Sequence, residues 1–289
     1  MLTWLYVPGD RPDRFAKAVA SGADAVILDL EDAVVPERKA YARAAVAEFC
    51  TSGHEVPIYV RINELGSGEA AADRSALEGA RGLAGLRLPK VQSPIEVAST
   101  AAELPSGVEL YCLLESALGV ERAHAIATAH PAVSGIGLGE ADLRSDLGLR
   151  DGLDGGLAYA RGRVVLAARA AGLPPPAMSV YPDVRDLDGL AASCRTGLAL
   201  GFLGRAAIHP RQLPVIVEAF RPSRVELDRA VQVLGAVAES ASAGQGTAVL
   251  ADGRFADRAM VRSAQEVVAL SRRYPRPEPS RPVPGSAAG

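Results

Sequence analysis

Cysteine is scarce in this chain: three in 289 residues, Cys50, Cys112 and Cys194, odd in number and far apart. That excludes a disulfide framework or a zinc ribbon and leads us to expect a reducing, cytoplasmic setting. No apolar run reaches the roughly 18 residues that a membrane span needs, and 1–4 leads straight into structured sequence, so neither a membrane segment nor a signal peptide is expected. A basic excess is missing as well. Lys and Arg number 31 against 34 Asp and Glu, a net charge of −3, which argues against nucleic acid as the main ligand. There is no Ser nucleophile elbow and no P-loop. What is present is ordinary for a globular protein, with 48% hydrophobic and 22% charged residues. A chain of this length buries a full core without staples. About 150 residues per domain predicts two domains, but α/β barrels of roughly 250 residues run as one.

Short apolar, β-branched runs alternate with Ala-rich stretches. The runs are 3–7, 25–30, 57–62, 85–88, 108–114, 133–138, 177–181 and 202–208, beginning at intervals of 22 to 44 residues. Most intervals fit a strand, a helix and two loops. The stretch 11–21 has Phe15, Ala18 and Val19 at helical spacing; 36–49 starts with Pro and continues through Tyr41, Ala45, Val46 and Phe49. Continuous apolar strands imply burial on both faces and hence a parallel sheet. Eight such units predict a closed (β/α)8 TIM barrel with a C-terminal helical extension, a doubly wound open sheet being the alternative. Helices are expected over 223–240 and 257–273, separated by Gly244-Gln-Gly246, the run 247–250 and an Asp252-Gly253 turn. The expected organisation is therefore a barrel over 1–220, a helical extension or lid over 221–274, and a disordered Pro-rich tail over 275–289.

Polar residues gather at the C-terminal ends of the expected strands. Asp29, Glu31 and Asp32 close the second; Arg61 and Asn63 close the third. Lys90, Glu115, Glu140 with Asp142, Tyr181 and His209 follow the next five. In a barrel these ends converge on one face, where barrel enzymes keep their active sites. Any βα loop is polar, so some of the clustering is automatic. However, Glu115 directly follows Leu113-Leu114 and Arg61 lies between Val60 and Ile62. Charges in such runs need partners or a function.

Glu115 and Asp142 would project from consecutive strands, so their carboxylates can meet. No His or Cys accompanies them at ligand spacing. Two hard oxygen ligands with open positions suit Mg2+ better than zinc. Arg61 could then neutralise a substrate carboxylate or a developing enolate oxygen. Gly135-Ile-Gly-Leu-Gly139 lacks the spacing of a dinucleotide loop and reads as close backbone packing around the site. His54 reads as a surface residue. His124 and His130, six residues apart, do not share a helix face, and His209 fits a structural hydrogen bond at least as well as catalysis.

In order along the chain come Tyr6-Val-Pro-Gly-Asp-Arg-Pro-Asp-Arg-Phe15, Ala25-Val-Ile-Leu-Asp-Leu-Glu-Asp-Ala33, Val60-Arg-Ile-Asn63 and Leu88-Pro-Lys-Val91. Leu114-Glu115, Gly139-Glu-Ala-Asp142, Gly201-Phe-Leu-Gly-Arg-Ala-Ala-Ile-His-Pro210 and Asp252-Gly-Arg-Phe-Ala-Asp257 follow. With these landmarks the sequence resembles the HpcH/HpaI aldolase superfamily, in the branch of the citrate lyase β chain and the citryl-, malyl- and citramalyl-CoA lyases. The resemblance implies a Mg2+-bearing barrel, with Mn2+ as a substitute, that cleaves or forms a carbon–carbon bond beside a CoA thioester. It implies Glu115 and Asp142 as metal ligands, with Glu115 also facing the substrate, and Arg61 as the arginine that binds the keto acid. Glu31 and Asp32 become the acidic groups that hold water at the metal. Arg11, Arg14 and Lys17 fall in the stretch associated with the CoA phosphates. Arg205 stands where the family's Gly-Phe-x-Gly-Lys motif has lysine, on the CoA side; a planar guanidinium is not a point ammonium. Asp257 matches an aspartate that some lyases place over a neighbouring subunit's site, where it would act as general acid.

The resemblance also implies a homo-oligomer, a trimer or hexamer, whose partners are a CoA thioester and a keto acid. The expected reaction gives a keto acid and acetyl- or propionyl-CoA, with thioester hydrolysis as a side activity. Three alternatives stay open: a metal aldolase acting on free 2-keto-4-hydroxy acids, use of an acyl-carrier-protein thioester, and a non-catalytic barrel subunit.

Overall fold

The structure, a computed structural model, describes residues 1–150, 154–243, 248–250 and 253–276. Two compact units divide it, Met1–Phe220 and Arg221–Gly289. The first is built on seven parallel strands: β1 Thr3–Pro8, β2 Ala25–Asp29, β3 Ile58–Arg61, β4 Leu83–Leu88, β5 Glu109–Leu114, β6 Val133–Leu138 and β7 Arg205–Ala207. Their order is β6-β5-β4-β3-β2-β1-β7, so six of them follow the chain in sequence and β7 returns beside β1. Helices fill the crossovers. β2 is buried along its whole length, as a strand covered on both faces must be.

The seventh expected strand differs from expectation. The run 177–181 is not a full strand: Met178 makes a single parallel bridge to Arg205, with its N–H donating to Gly204 O at 2.9 Å. Pro174, Pro175 and Pro176 precede it and Pro182 follows, so the flanks lack the N–H groups that a ladder needs. Among the described residues no backbone ladder joins this segment to β6. The Ala177 N–H instead donates to the Tyr111 hydroxyl of β5 at 3.4 Å. The architecture is a (β/α)8 TIM barrel in which seven positions are hydrogen-bonded strands and the remaining one, between β6 and β7 in the chain, is one bridge.

Large and small residues alternate across the barrel interior. Trp4, Ile27 and Tyr59 pack with Ala25, Ala177 and Ala206, and Trp4 meets Tyr59 edge to face at 5.0 Å. Glycines make room for the tyrosines. A Cβ on Gly85 would lie 2.7 Å from the Tyr59 ring, and one on Gly135 would lie 2.5 Å from the Tyr111 ring. Serines start three of the crossover helices: Ser67, Ser93 and Ser116 accept from Ala70, Glu96 and Gly119 N–H at 3.1, 3.3 and 3.2 Å.

The second unit is a helix pair. The expected helices appear as Arg224–Ser242 and Arg258–Arg273. Ser223 and Glu226 form a capping box, with bonds of 3.1 and 2.7 Å. The pair buries Ala230, Val233 and Ala264 under Leu234, Met260, Val261, Val267 and Val268. A two-residue hairpin, β8 Ala248–Val249 against β9 Phe255–Ala256, precedes the second helix. The Gly244-Gln-Gly246 strip, Asp252 and residues 277–289 of the expected tail lie outside the described residues. No helix among the described residues is long and apolar enough to cross a membrane.

Gly204 tests the seam between β1 and β7. Its φ is +85°, and a Cβ there would lie 2.4 Å from Leu2 O, whereas Gly66 has a similar φ of +82° with nothing near. Gly66→Ala is expected to cost about 1 kcal/mol from the left-handed backbone alone. Gly204→Ala adds a backbone clash and is expected to cost roughly 2–4 kcal/mol. Chemical denaturation midpoints of the two variants check the difference.

Candidate active site

Parallel strands end on the same side, so the residues that close them share one rim. Asp29 ends β2 and Arg61 ends β3, in direct register. Arg61 Nε and Nη2 donate to the two carboxylate oxygens of Asp29 at 2.7 and 2.6 Å, a bidentate pair. Asp29 is itself buried and accepts from the Glu31 backbone N–H at 3.0 Å. Glu31 Oε2 lies 2.8 Å from Arg61 Nη1, close in charge but without hydrogen-bond alignment. Asp29 therefore orients the guanidinium and leaves some of its N–H donors without a hydrogen bond. Buried opposite charges hold Arg61 well above the usual arginine range, against desolvation.

Lys90, two residues beyond β4, donates to Glu31 Oε1. Its φ is 51°, and among the described residues it is the sole non-glycine in the left-handed region. Strain of this kind persists where the surroundings over-determine it, which is common at functional sites. Asp32 is exposed and lies 3.6 Å from Arg61 and 3.7 Å from Lys90. Burial pushes the Glu31 carboxyl up, and Arg61 and Lys90 offset only part of that.

Glu115 follows the last residue of β5 and is 4% exposed. Burial first, then the charges of Glu31 and Asp142, push its carboxyl up to about 9. Asp142, in the first turn of the helix Glu140–Asp146 after β6, lies within hydrogen-bonding reach of it. Glu115 Oε2 is buried with no hydrogen-bond partner. Gly139 makes the site feasible: a Cβ there would lie 2.5 Å from Glu115 Oε1. The glycine strip expected to pack close to the site thus does so at its last member.

This donor set fits a divalent cation. Two carboxylates meet, one carries an orphaned buried oxygen, and their mutual repulsion is what a metal relieves. Among the described residues no group of three or more His, Cys, Asp or Glu side chains could hold an ion. Two carboxylates with water and substrate oxygens in the other positions is the usual arrangement for Mg2+.

The structure brings Arg61, Glu31, Asp32, Glu115 and Asp142 together. Arg11, Arg14 and Lys17 follow the C-terminal end of β1, in a short 3-10 turn and the helix Phe15–Val19; Arg14 and Lys17 are exposed. Arg11 pairs with Asp13 at 3.0 Å. Asp257 belongs to the second unit and caps its last helix, accepting from Met260 N–H at 2.7 Å.

Arg205 requires a correction. It opens β7, at the end away from the rim, and is 2% exposed. Its guanidinium donates to Ser179 O at 2.9 Å and Ser193 Oγ at 3.0 Å, and lies 3.6 Å from Cys194 Sγ. It joins β7 to the segment 177–181 and the helix Leu187–Leu200, and is not presented to a substrate. The histidines serve locally: His209 and His130 accept from Arg211 and Ala132 N–H, both at 3.1 Å, and His54 stacks on Phe49.

Asp29 and Lys90 are the site residues to which sequence reasoning gave no role. Asp29 was legible as a strand-end acid, and its register with Arg61 was the signal. A polar column beneath the rim was not legible. Lys39 Nζ donates to Leu30 O, Glu31 O and Asn63 Oδ1 at 2.8, 3.0 and 2.6 Å, and Asn63 Nδ2 donates to Asp73 at 2.7 Å. A cavity of about 520 Å3 lies elsewhere, at the start of β4 beside Arg74, Glu103 and Pro105, and gathers no comparable chemistry.

The HpcH/HpaI aldolase/citrate lyase family matches residues 2–210. A (3S)-malyl-CoA thioesterase of Cereibacter sphaeroides is 36% identical over 269 residues, covering 92% of each chain. An L-malyl-CoA/beta-methylmalyl-CoA lyase of the same species is 31% identical, covering 91% of this chain and 92% of its own. The crystal structure of CitE from Mycobacterium tuberculosis in complex with magnesium, acetoacetate and coenzyme A superposes with a TM-score of 0.76 at 33% identity. It covers 93% of this chain and 97% of that one.

Gly139→Ala is expected to push the Glu115 carboxylate off its position while leaving the barrel folded. Divalent-cation affinity should fall at least roughly tenfold, about 1.4 kcal/mol. Mn2+ titration followed by electron paramagnetic resonance, alongside circular dichroism, checks it.

Proposed function

This chain belongs to the HpcH/HpaI aldolase/citrate lyase family, and from that premise we propose that it is a Mg2+-dependent carbon–carbon lyase acting reversibly on a 3-hydroxyacyl-CoA. The observation that carries the reading is the pairing of buried Glu115 with half-buried Asp142 beside an Arg61 oriented by Asp29. Relatives named for malyl-CoA lyase and malyl-CoA thioesterase chemistry support the CoA ester, as do magnesium and coenzyme A in the CitE complex.

Glu115 and Asp142 would hold the ion, which when bound supplies Lewis-acid polarisation of the substrate's oxygens. Arg61 binds the carboxylate of the keto-acid half with the N–H groups that Asp29 leaves over. Glu31 and Asp32 take the hydroxyl proton through water. The carbon–carbon electron pair passes to the acyl half as the thioester enolate, and the other half leaves as a keto acid. Asp257, contributed by a neighbouring copy of the chain, returns a proton to the enolate carbon. Exposed Arg14 and Lys17, with Arg11, attract the CoA phosphates. Hydrolysis of the thioester in the same site is the second reading, favoured by the thioesterase relative.

Incubation with Mg2+, acetyl-CoA and glyoxylate, pyruvate or oxaloacetate should give a hydroxyacyl-CoA by mass. A chelator should abolish the product, and Mg2+ or Mn2+ should restore it. Product formation after exhaustive chelation, or none with any keto acid, overturns the reading. Arg61→Lys keeps the charge but loses the fork, and should lower kcat/KM at least roughly tenfold, about 1.4 kcal/mol.

Asp257→Asn and Asp257→Ala separate proton transfer from capping. Asn caps nearly as well as Asp, so Asp257→Asn should keep the melting temperature while losing activity. Asp257→Ala should lose both, with about 1 kcal/mol of stability. Mixing inactive Arg61→Ala with inactive Asp257→Asn should recover activity once subunits exchange. An active Asp257→Asn would confine this residue to the cap.

A further inference from the structure

Directly beside Arg61, in register on β4, lies a second arginine that the reaction above does not use. Arg87 is 3% exposed and points into the barrel. Its guanidinium sits 4.2 Å from the centroid of the Tyr111 ring, 5.3 Å from Trp4 and 5.6 Å from Tyr6. Arg61 approaches the same Tyr6 ring at 5.2 Å, so the two cations share one aromatic neighbour. Arg87 Nε and Nη1 are buried without a hydrogen-bond partner, and among the described residues no carboxylate pairs with it.

A buried guanidinium without a counter-ion is destabilising, and three aromatic faces offset only part of the cost. Two apolar strands' worth of neighbours would accept a methionine there. Such a residue is expected where function opposes stability. The rim above supplies the reason. Asp29, Glu31, Asp32, Glu115 and Asp142 gather around Arg61 and Lys90. Five carboxylates against two cations leave the rim negative even with a divalent metal bound. A keto-acid anion entering such a site meets repulsion that Arg61 alone does not cancel. An unneutralised cation beneath the rim acts on every negative charge above it, and through the low-dielectric barrel it is screened little by salt.

We propose that Arg87 is a specificity-determining residue: its uncompensated charge, held by Tyr111, Trp4 and Tyr6, sets the charge preference of the keto-acid site and favours acids that carry a second carboxylate. The proposal rests on the lyase reading for the location of the keto acid. Its signature is separate from turnover. At a separation of about 10 Å and an effective dielectric constant near 20, one such charge is worth on the order of tenfold in affinity per ligand charge.

The test compares wild type, Arg87→Met and Arg87→Lys in the Mg2+-loaded protein. Titration calorimetry gives affinities for glyoxylate, with one charge, and oxaloacetate, with two; scanning calorimetry gives the melting temperature without ligand. Arg87→Met is expected to weaken glyoxylate about tenfold and oxaloacetate about a hundredfold, with a melting temperature equal to or above wild type. Arg87→Lys is expected to stay within roughly threefold of wild type for both acids. Equal loss for the two acids, or unchanged affinities, overturns the proposal. So does a lowered melting temperature that Lys does not rescue. Arg87→Gln carries the same expectation as Met, and failure of both uncharged variants to fold assigns Arg87 to the core and overturns it too. Wild type that binds both acids but makes no hydroxyacyl-CoA sinks the lyase reading while leaving Arg87 judged by its own affinities; wild type that binds neither sinks both.

Discussion

The bidentate bond between Arg61 and Asp29 is the contact on which the rest of the rim depends. It joins the last residues of β3 and β2 across a register that the parallel ladder has already set. Once Asp29 holds one side of the guanidinium, Glu31 can approach the other, and Lys90 can approach Glu31. Asp29, Arg61, Glu31 and Lys90 are each placed against a partner of opposite charge, whereas Glu115 meets the like charges of Glu31 and Asp142, and Glu31 Oε2 and Glu115 Oε2 are both buried without a hydrogen-bond partner. Buried oxygens left without a donor are costly, and these two lie on one rim.

Holding that order requires support beneath it. Lys39 spends all three ammonium protons on Leu30 O, Glu31 O and Asn63 Oδ1, so the backbone that carries Glu31 and Asp32 is fixed from the helix side. Asp73 in turn accepts from the Asn63 backbone and side chain at 2.9 and 2.7 Å, and Arg43 donates to it at 2.8 Å. A site of like charges would otherwise relax by moving its loops apart. Here the loops are tied to two crossover helices, Lys39–Phe49 and Gly68–Ala76, whose own faces are anchored on the strands. The same logic explains Gly139, where a missing methyl group lets a carboxylate reach the position it needs.

Much of this was legible in the sequence because parallel strands announce themselves twice, by continuous apolar runs and by the charge that ends each run. Glu115 after Leu114 and Arg61 after Val60 were readable on that ground. Direction along a strand was harder. Arg205 sits within a motif rich in family landmarks, but β7 is only Arg205–Ala207, and its first residue lies at the far end from the rim. Motif membership does not say which end of a strand a residue occupies, and a three-residue strand has no margin for the error. The run 177–181 failed as a strand for a local reason, the flanking prolines, which its apolar pattern concealed. Lys39 was hidden, and Lys90 was legible as a strand-end charge but not in its role. One acts through backbone carbonyls brought near by a helix, the other through a left-handed φ of 51° that no side-chain pattern encodes.

Asp257 caps its helix, and the proton transfer proposed for it would use the same carboxyl. Capping uses Oδ1 alone, through the Met260 N–H at 2.7 Å. That bond fixes the side-chain torsion and therefore the direction of Oδ2. The residue is exposed, at the start of a helix whose apolar face is already occupied by its partner helix in the second unit. A carboxyl proposed as a proton donor needs such a fixed direction, because a freely rotating one would lose in orientation what it gains in reach. The cap supplies that direction from within its own helix, independent of whatever surface the unit meets.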